Sequence, residues 1–209
     1  MEGRITVMFI GGYEPCSLSD YPGEVACVLF TQGCNFRCPW CHNKGLWPFV
    51  ALSERGEIDR WLEVLQYRID RTPNQCYVVI TGGEPTVRPE LMPFLKVLRE
   101  RGFKVKLDTN GSNPDIISEL CSDGLVSYIA MDIKAPLCDE RKYNEACGTA
   151  VDMNAIHRSI GIIASGGLPY TFRTTMIPAL ALKDIVKIQL EMQNYNHKLQ
   201  GYKEAKKWV

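Results

Sequence analysis

Five short apolar runs punctuate this chain of 209 residues, and each stops at a polar, glycine-bearing or proline-bearing word. Val25–Phe30 leads into Thr31-Gln32-Gly33, and Tyr77–Ile80 into Thr81-Gly82-Gly83-Glu84-Pro85. Lys104–Leu107 leads into Asp108-Thr109-Asn110-Gly111, Val126–Met131 into Asp132-Ile133-Lys134, and Tyr170–Met176 ends near Pro178. The runs are rich in β-branched or aromatic residues, as strands prefer. Helical spacing fills the intervals: Ile58, Trp61, Leu62, Leu65 and Ile69 recur with that period. Pro89 is placed to open a second helix and Gly102 to close it, and Asn113-Pro114 caps a third. Asp152 caps a fourth, with Ile156, Ile160 and Ile163 on one side. Leu182, Ile185 and Val186 begin a fifth that ends near Tyr195. Strands alternating with helices predict βα units and a parallel sheet, whose ligands gather at the C-terminal ends of the strands.

An earlier apolar run, Ile5 and Val7 to Ile10, is too short for a signal h-region and ends in Gly11-Gly12 without a cleavage site. It reads as a first strand within an N-terminal strand-and-loop segment, 1–23. No repeat, low-complexity stretch or linker interrupts the chain, so a single domain over 1–209 is expected. Lys+Arg 24 against Asp+Glu 24 gives a formal net charge of zero, so electrostatics point to no nucleic-acid or membrane-surface partner. No apolar run approaches the roughly 18 residues that span a bilayer. The nine cysteines are odd in number, which rules out a fully paired disulfide framework. With no export signal in sight the expected location is the cytoplasm, where thiols stay reduced. Metal or redox chemistry then explains at least some of them.

Cys34, Cys38 and Cys41 stand at C-x3-C-x2-C in a loop, 31–47, directly after the first long strand. Three thiolates from one tight loop can ligate three irons of a [4Fe–4S] cubane and leave the fourth iron open to a small molecule. Other readings fit less well. A structural zinc site needs a fourth ligand, and His42 is adjacent to Cys41, which strains a tetrahedral site. A four-thiolate electron carrier needs one more nearby cysteine. Cys16, Cys27, Cys76, Cys121, Cys138 and Cys147 lack cluster spacing, so no auxiliary cluster is expected; His157 and His197 are given no role.

The triplet, with Trp40 before its last cysteine, resembles the signature of the radical S-adenosylmethionine (SAM) superfamily. Cys41-His42-Asn43 is similar to the glycyl-radical-enzyme activases. Ser19-Asp20-Tyr21-Pro22-Gly23 and Phe30-Thr31-Gln32-Gly33 resemble the activating proteins of anaerobic ribonucleoside-triphosphate reductase. The resemblance implies an α/β fold, a partial (βα)6 barrel open at one side. It implies that Trp40, Gly82, Gly83 and Glu84 lie at the cofactor, with the Gly-Gly segment at its amino group. In those activases, residues matching Asp108, Thr109 and Asp132 help hold a monovalent cation beside the cofactor carboxylate, and hard oxygen ligands suit such a cation. Lys134 can pair with the same carboxylate. Arg173, a charge on a strand facing a barrel interior, needs a partner: the ligand, Asp132 or Glu84.

The implied activity is one-electron cleavage of SAM to a 5′-deoxyadenosyl radical that makes a glycyl radical on a partner, an anaerobic ribonucleotide reductase. A flavodoxin- or ferredoxin-type protein supplies the electron. The alternatives are a radical enzyme acting on a small molecule or peptide, and a non-catalytic iron–sulfur carrier; the glycine-rich and Asp/Lys words argue against the carrier. At the C-terminus, Lys198–Lys203 reads as loop and Ala205–Val209 as the start of a sixth strand, short or truncated, its last residues poorly held unless a partner covers them.

Overall fold

A computed structural model describes residues 10–49, 63–67, 70 and 76–204. One sheet runs through them, its seven strands ordered as in the sequence: β1 (Ile10–Tyr21), β2 (Glu24–Thr31), β3 (Tyr77–Gly82), β4 (Lys104–Thr109), β5 (Tyr128–Asp132), β6 (Tyr170–Met176) and β7 (His197–Gly201). β1 pairs antiparallel with β2; every later pair is parallel. Each parallel strand therefore steps to its neighbour over a crossover, which curls the sheet into an open half-barrel, mixed α/β in class.

Strand parity gives the half-barrel two unlike faces. On the outer face Leu29, Ile80, Leu107, Met131 and Phe172 are buried in one large apolar cluster. α1 (Leu91–Glu100) adds Phe94, Leu95 and Leu98, α2 (Pro114–Ser122) adds Ile117 and Leu120, and α4 (Met153–Ser165) adds Ile156, Ile160 and Ile163. Full burial of such side chains contributes about 1.5–3 kcal/mol each before entropy is subtracted. The inner face holds a smaller cluster of Tyr21, Ala26, Val28 and Val79, flanked by Phe30, Tyr77 and Tyr128. The Tyr21 ring lies 4.7 Å from that of Tyr77 and 6.1 Å from that of Tyr128, so the end of β1 plugs the inner face below the C-terminal edge.

Several elements differ from their sequence-based expectation. Residues 11–21 are strand rather than loop; β1 is an outer strand with register shifts and a mostly exposed burial pattern, so it carries no hydrophobic alternation to betray it. The run Ile5–Phe9 lies outside the described residues, as do Ile58, Trp61, Leu62 and Ile69; Leu65 sits fully buried on helical residues 63–67. A helix unforeseen from sequence, α3 (Glu140–Cys147), is mostly polar. Asp139 caps it, accepting from the Lys142 amide at 3.0 Å, and Gly148 ends it at φ 64°. α5 (Leu182–Glu191) stops four residues before Tyr195, and the sixth parallel strand, β7, occupies part of the supposed loop 198–203. Its low hydropathy is that of an edge strand, with Lys198 and Gln200 exposed. Ala205–Val209 lie outside the described residues.

Candidate functional site

One cavity opens at the C-terminal edge of the parallel strands, and every site residue foreseen from the sequence lines it: Cys34, Cys38, Trp40 and Cys41; Gly82, Gly83 and Glu84; Asp108 and Thr109; Asp132 and Lys134; Arg173. The loop after β2 is closed at its base, where the Gly33 amide donates to the Leu46 carbonyl at 2.8 Å and the Cys34 amide to Trp47 at 3.2 Å. Its middle is tied to the end of α3 by a 2.8 Å bond from the Arg37 amide to the Cys147 carbonyl. The Arg37 guanidinium turns back onto the Cys34 and Phe36 carbonyls at 2.5 and 2.8 Å.

Backbone amides already address two of the three sulfurs: Phe36 donates to Cys34 Sγ at 3.4 Å and Asn43 to Cys41 Sγ at 3.3 Å. A hydrogen bond from the Cys147 thiol lowers the Cys38 thiol to about 6, with Lys134 nearby adding its positive charge. Burial pushes the Cys34 thiol up to about 11; metal ligation displaces such a proton. Among the described residues no three His, Cys, Asp or Glu side chains converge on a point suited to a single metal ion. Cys34, Cys38 and Cys41 all line the cavity.

Gly82 and Gly83 bring the second loop against the first. The Gly83 amide donates to the Thr31 carbonyl and the Glu84 amide to the Gly33 carbonyl, both at 2.8 Å. A Cβ on Gly83 would stand 2.1 Å from the Gly33 oxygen, and Gly82 holds φ 113°, so only glycine fits this approach. Glu84 is 1% exposed. Its Oε1 accepts from the Thr86 amide at 3.1 Å and from the hydroxyls of Thr86 and Thr109 at 2.6 and 2.7 Å, and its Oε2 accepts from the Asn110 amide at 2.6 Å. Burial lifts this carboxyl above its ordinary range despite those donors. Glu84 and Thr109 therefore bind each other, joining the loops after β3 and β4. Asn110 extends the link: its Nδ2 donates to Asn35 Oδ1 at 3.0 Å, and Asn35 Nδ2 donates to the Ser112 hydroxyl at 2.8 Å.

A chain of five charges crosses the inner face. Lys106 Nζ bonds to Asp108 Oδ1; Arg173 donates to Asp108 Oδ2 at 3.1 Å and to Asp132 Oδ1 at 2.9 Å; Lys134 donates to Asp132 Oδ2 at 2.8 Å. Burial would raise the Asp132 carboxyl, but Arg173 and Lys134 hold it well below the usual carboxylate range. Burial opposes the charge on Lys134 and Arg173 as well, and their carboxylate partners keep both protonated far above neutrality. Of the partners foreseen for Arg173, Asp132 is present and Glu84 is not.

Sequence reasoning missed Lys106, Asn35, Asn110, Ser112 and Cys147. Register supplies the signal for the first: Lys106 shares its strand face with Asp108. The Asn and Ser contacts join loops with nothing local to announce them.

Comparison with known proteins matches residues 28–191 to the Radical SAM superfamily. The chain belongs to that family. Among its radical SAM relatives, a Methanocaldococcus jannaschii protein named as a glycyl-radical enzyme activating enzyme, MJ1227, is 33% identical over 187 residues, which are 85% of this chain and 74% of the relative. The pyruvate formate-lyase-activating enzyme of Clostridium pasteurianum is 27% identical over 174 residues, 82% of this chain and 69% of that one. In fold, the chain is similar to the crystal structure of Streptococcus suis SuiB bound to precursor peptide SuiA, with a TM-score of 0.65 and 15% identity over 88% of this chain and 40% of that one. The family implies a [4Fe–4S] cluster and SAM. The donor set of the cavity fits both: three thiols, two of them receiving backbone amides, and the side chains of Lys134 and Arg173 for an anionic group. No helix among the described residues is long and apolar enough to cross a membrane.

Proposed function

We propose that Cys34, Cys38 and Cys41 hold a [4Fe–4S] cluster and that the protein generates a glycyl radical on a partner enzyme, an anaerobic ribonucleoside-triphosphate reductase. The observation that carries this reading is the convergence on one cavity of the three thiols, the Gly82-Gly83 turn and four members of the charge chain, Asp108, Asp132, Lys134 and Arg173. Activase-named relatives matched over 74% and 69% of their length support the choice of partner class. When bound, the cluster supplies the one-electron cleavage of SAM to methionine and a 5′-deoxyadenosyl radical. The protein's own residues bind and orient. The turn at Gly82-Gly83 brings backbone carbonyls to the ligand ammonium. Lys106, Arg173 and Lys134 pair with Asp108 and Asp132, and Lys134 also lies beside the Cys38 thiol. Lys134 and Arg173, both on the cavity lining, are the cations placed to meet a ligand carboxylate. Trp40 on the cavity wall supplies an apolar face.

A monovalent cation at Asp108, Thr109 and Asp132 would have to displace Lys106, Arg173 or Lys134 from the two carboxylates, and the Thr109 hydroxyl already donates to Glu84 and accepts from the Gly111 amide at 3.1 Å. The electron comes from a flavodoxin- or ferredoxin-type protein, and free thiols of this kind suit the reducing cytoplasm.

The test is electron paramagnetic resonance on the reconstituted, reduced protein with SAM and the reductase. A glycyl radical signal accompanied by 5′-deoxyadenosine is expected. 5′-Deoxyadenosine without a glycyl radical on any such partner would move the reading to a small-molecule or peptide substrate. No 5′-deoxyadenosine at all would leave a carrier.

A further inference from the structure

The three cysteines are not held alike. Cys34 is buried and bonded at the loop base, and Cys38 follows Arg37, whose amide is fastened to α3. Cys41 lies at the loop tip, between an exposed Pro39 and an exposed His42 and Asn43. A turn bond from the Cys41 amide to the Cys38 carbonyl, 3.0 Å, shapes the tip without anchoring it to the barrel.

The anchor comes from the far end of the sheet. Directly after β7, the Tyr202 ring stacks on His42, with centroids 5.7 Å apart and planes 17° apart. The same ring meets Trp40 edge-on at 5.8 Å and 85°. His42 Nε2 also contacts the Lys203 carbonyl oxygen. Trp40 and His42 are the two sequence neighbours of Cys41, so one side chain grips both flanks of one thiol. The contact also spans the half-barrel, since it joins the loop after β2 to the segment after β7, the last strand in the sheet.

We propose that Tyr202 is a positioning residue for Cys41, clasping the tip of the cluster loop so that the thiol and the Asn43 amide that addresses it keep their geometry. The proposal rests on the reading of Cys34, Cys38 and Cys41 as cluster ligands. Hydrogen bonds to cluster sulfurs tune reduction potential, so a loosened Asn43–Cys41 contact changes the potential as well as the retention of iron. The clasp works through the ring, and phenylalanine preserves it.

Three readouts on the full chain test this. In the cluster-free protein, the alkylation rate of each cysteine is followed by peptide mass spectrometry under anaerobic conditions. In the reconstituted protein, iron loss to a chelator and the midpoint potential are measured. Tyr202→Ala should raise Cys41 alkylation about tenfold, equivalent to ~1.4 kcal/mol, the order expected of two ring contacts, while Cys34 stays at its wild-type rate. Iron loss should quicken by a similar factor, the potential should shift, and Tyr202→Phe should restore wild-type behaviour in all three. An unchanged Cys41 rate, or an equal rise at Cys34 that marks general loosening, would overturn the clasp while leaving the cluster reading intact. A wild-type protein that takes up no iron would overturn both.

Discussion

Glu84 accepts a 2.6 Å hydrogen bond from the Asn110 backbone amide, linking the loops at the ends of two neighbouring strands across 26 residues of sequence. The carboxylate faces only donors, through both of its oxygens. In Glu84→Gln the carboxamide must turn its NH2 toward either the Asn110 amide or the Thr86 and Thr109 donors. Leaving such groups unsatisfied in a buried site costs about 1–3 kcal/mol. Urea denaturation should show this loss, and SAM affinity should fall with it, because Asn110 also holds Asn35 of the cluster loop. A variant with wild-type stability would show that the loops do not depend on this carboxylate.

Asp132 carries a pH dependence whose sign follows from its depressed carboxyl. An unfolded aspartate titrates near about 3.9, whereas the folded one, held by Arg173 and Lys134, titrates well below that. Its stabilising contribution is thus present above pH ~4 and is lost as pH falls toward the folded value. Asp132→Asn should cost about 2 kcal/mol at pH 7, less than the 3–5 typical of breaking a fully buried pair, and the gap to wild type should narrow as pH falls below ~4. Thermal melts from pH 7 down to the acid limit check this. In the reconstituted enzyme the same variant should lose any response of SAM cleavage to sodium or potassium.

The cysteines divide by position. Cys34→Ser, Cys38→Ser or Cys41→Ser should abolish the cluster, while Cys121→Ser should leave it. Cys147→Ser should also retain it, because Cys147 does not itself line the cavity and meets the site through the Cys38 thiol and its backbone bond to Arg37. Iron and sulfide analysis after reconstitution decides. Full loading of Cys38→Ser would remove the basis for the cluster assignment, and loss of loading in Cys147→Ser would make that residue a ligand.

What the sequence disclosed follows the range over which each signal acts. The five runs became β2 to β6 because each packs β-branched, aromatic or other apolar residues into a short stretch that buries one face against the helices, a pattern visible within a few residues. β1 and β7 escaped because outer strands are polar or irregular; their pairing is a property of the sheet. α3 escaped because it buries only Tyr143, Ala146 and Cys147, too few to set a period. In the site, the thiol spacing and the words after the strands were local and legible. The pairing of Glu84 with Thr109, and of Arg173 with both Asp108 and Asp132, depends on which strand face each side chain takes once the sheet is curled. The grip of Tyr202 on the cluster loop joins the two ends of the sheet, beyond the reach of any local pattern.

Two left-handed glycines separate backbone strain from contact with the cluster loop. Gly124, after α2, has φ 60°, and a Cβ there would meet only Arg99 side-chain atoms at ordinary distances of 3.7 and 3.9 Å. Gly148, after α3, has φ 64°, and its Cβ would stand 2.2 Å from the Arg37 carbonyl oxygen. Both alanine variants incur the left-handed penalty of about 1–2 kcal/mol. Only Gly148→Ala must also push backbone against backbone, and the backbone it meets lies one residue before Cys38. Gly124→Ala should therefore lose about 1–2 kcal/mol in urea denaturation and reconstitute a normal cluster. Gly148→Ala should lose more, and its iron content should fall in parallel because the bond from the Arg37 amide to the Cys147 carbonyl is displaced with the loop. Comparison of the two at equal folded fraction removes the contribution of simple unfolding. Equal iron content in the two variants under that condition would mean that the end of α3 does not set the position of Cys38.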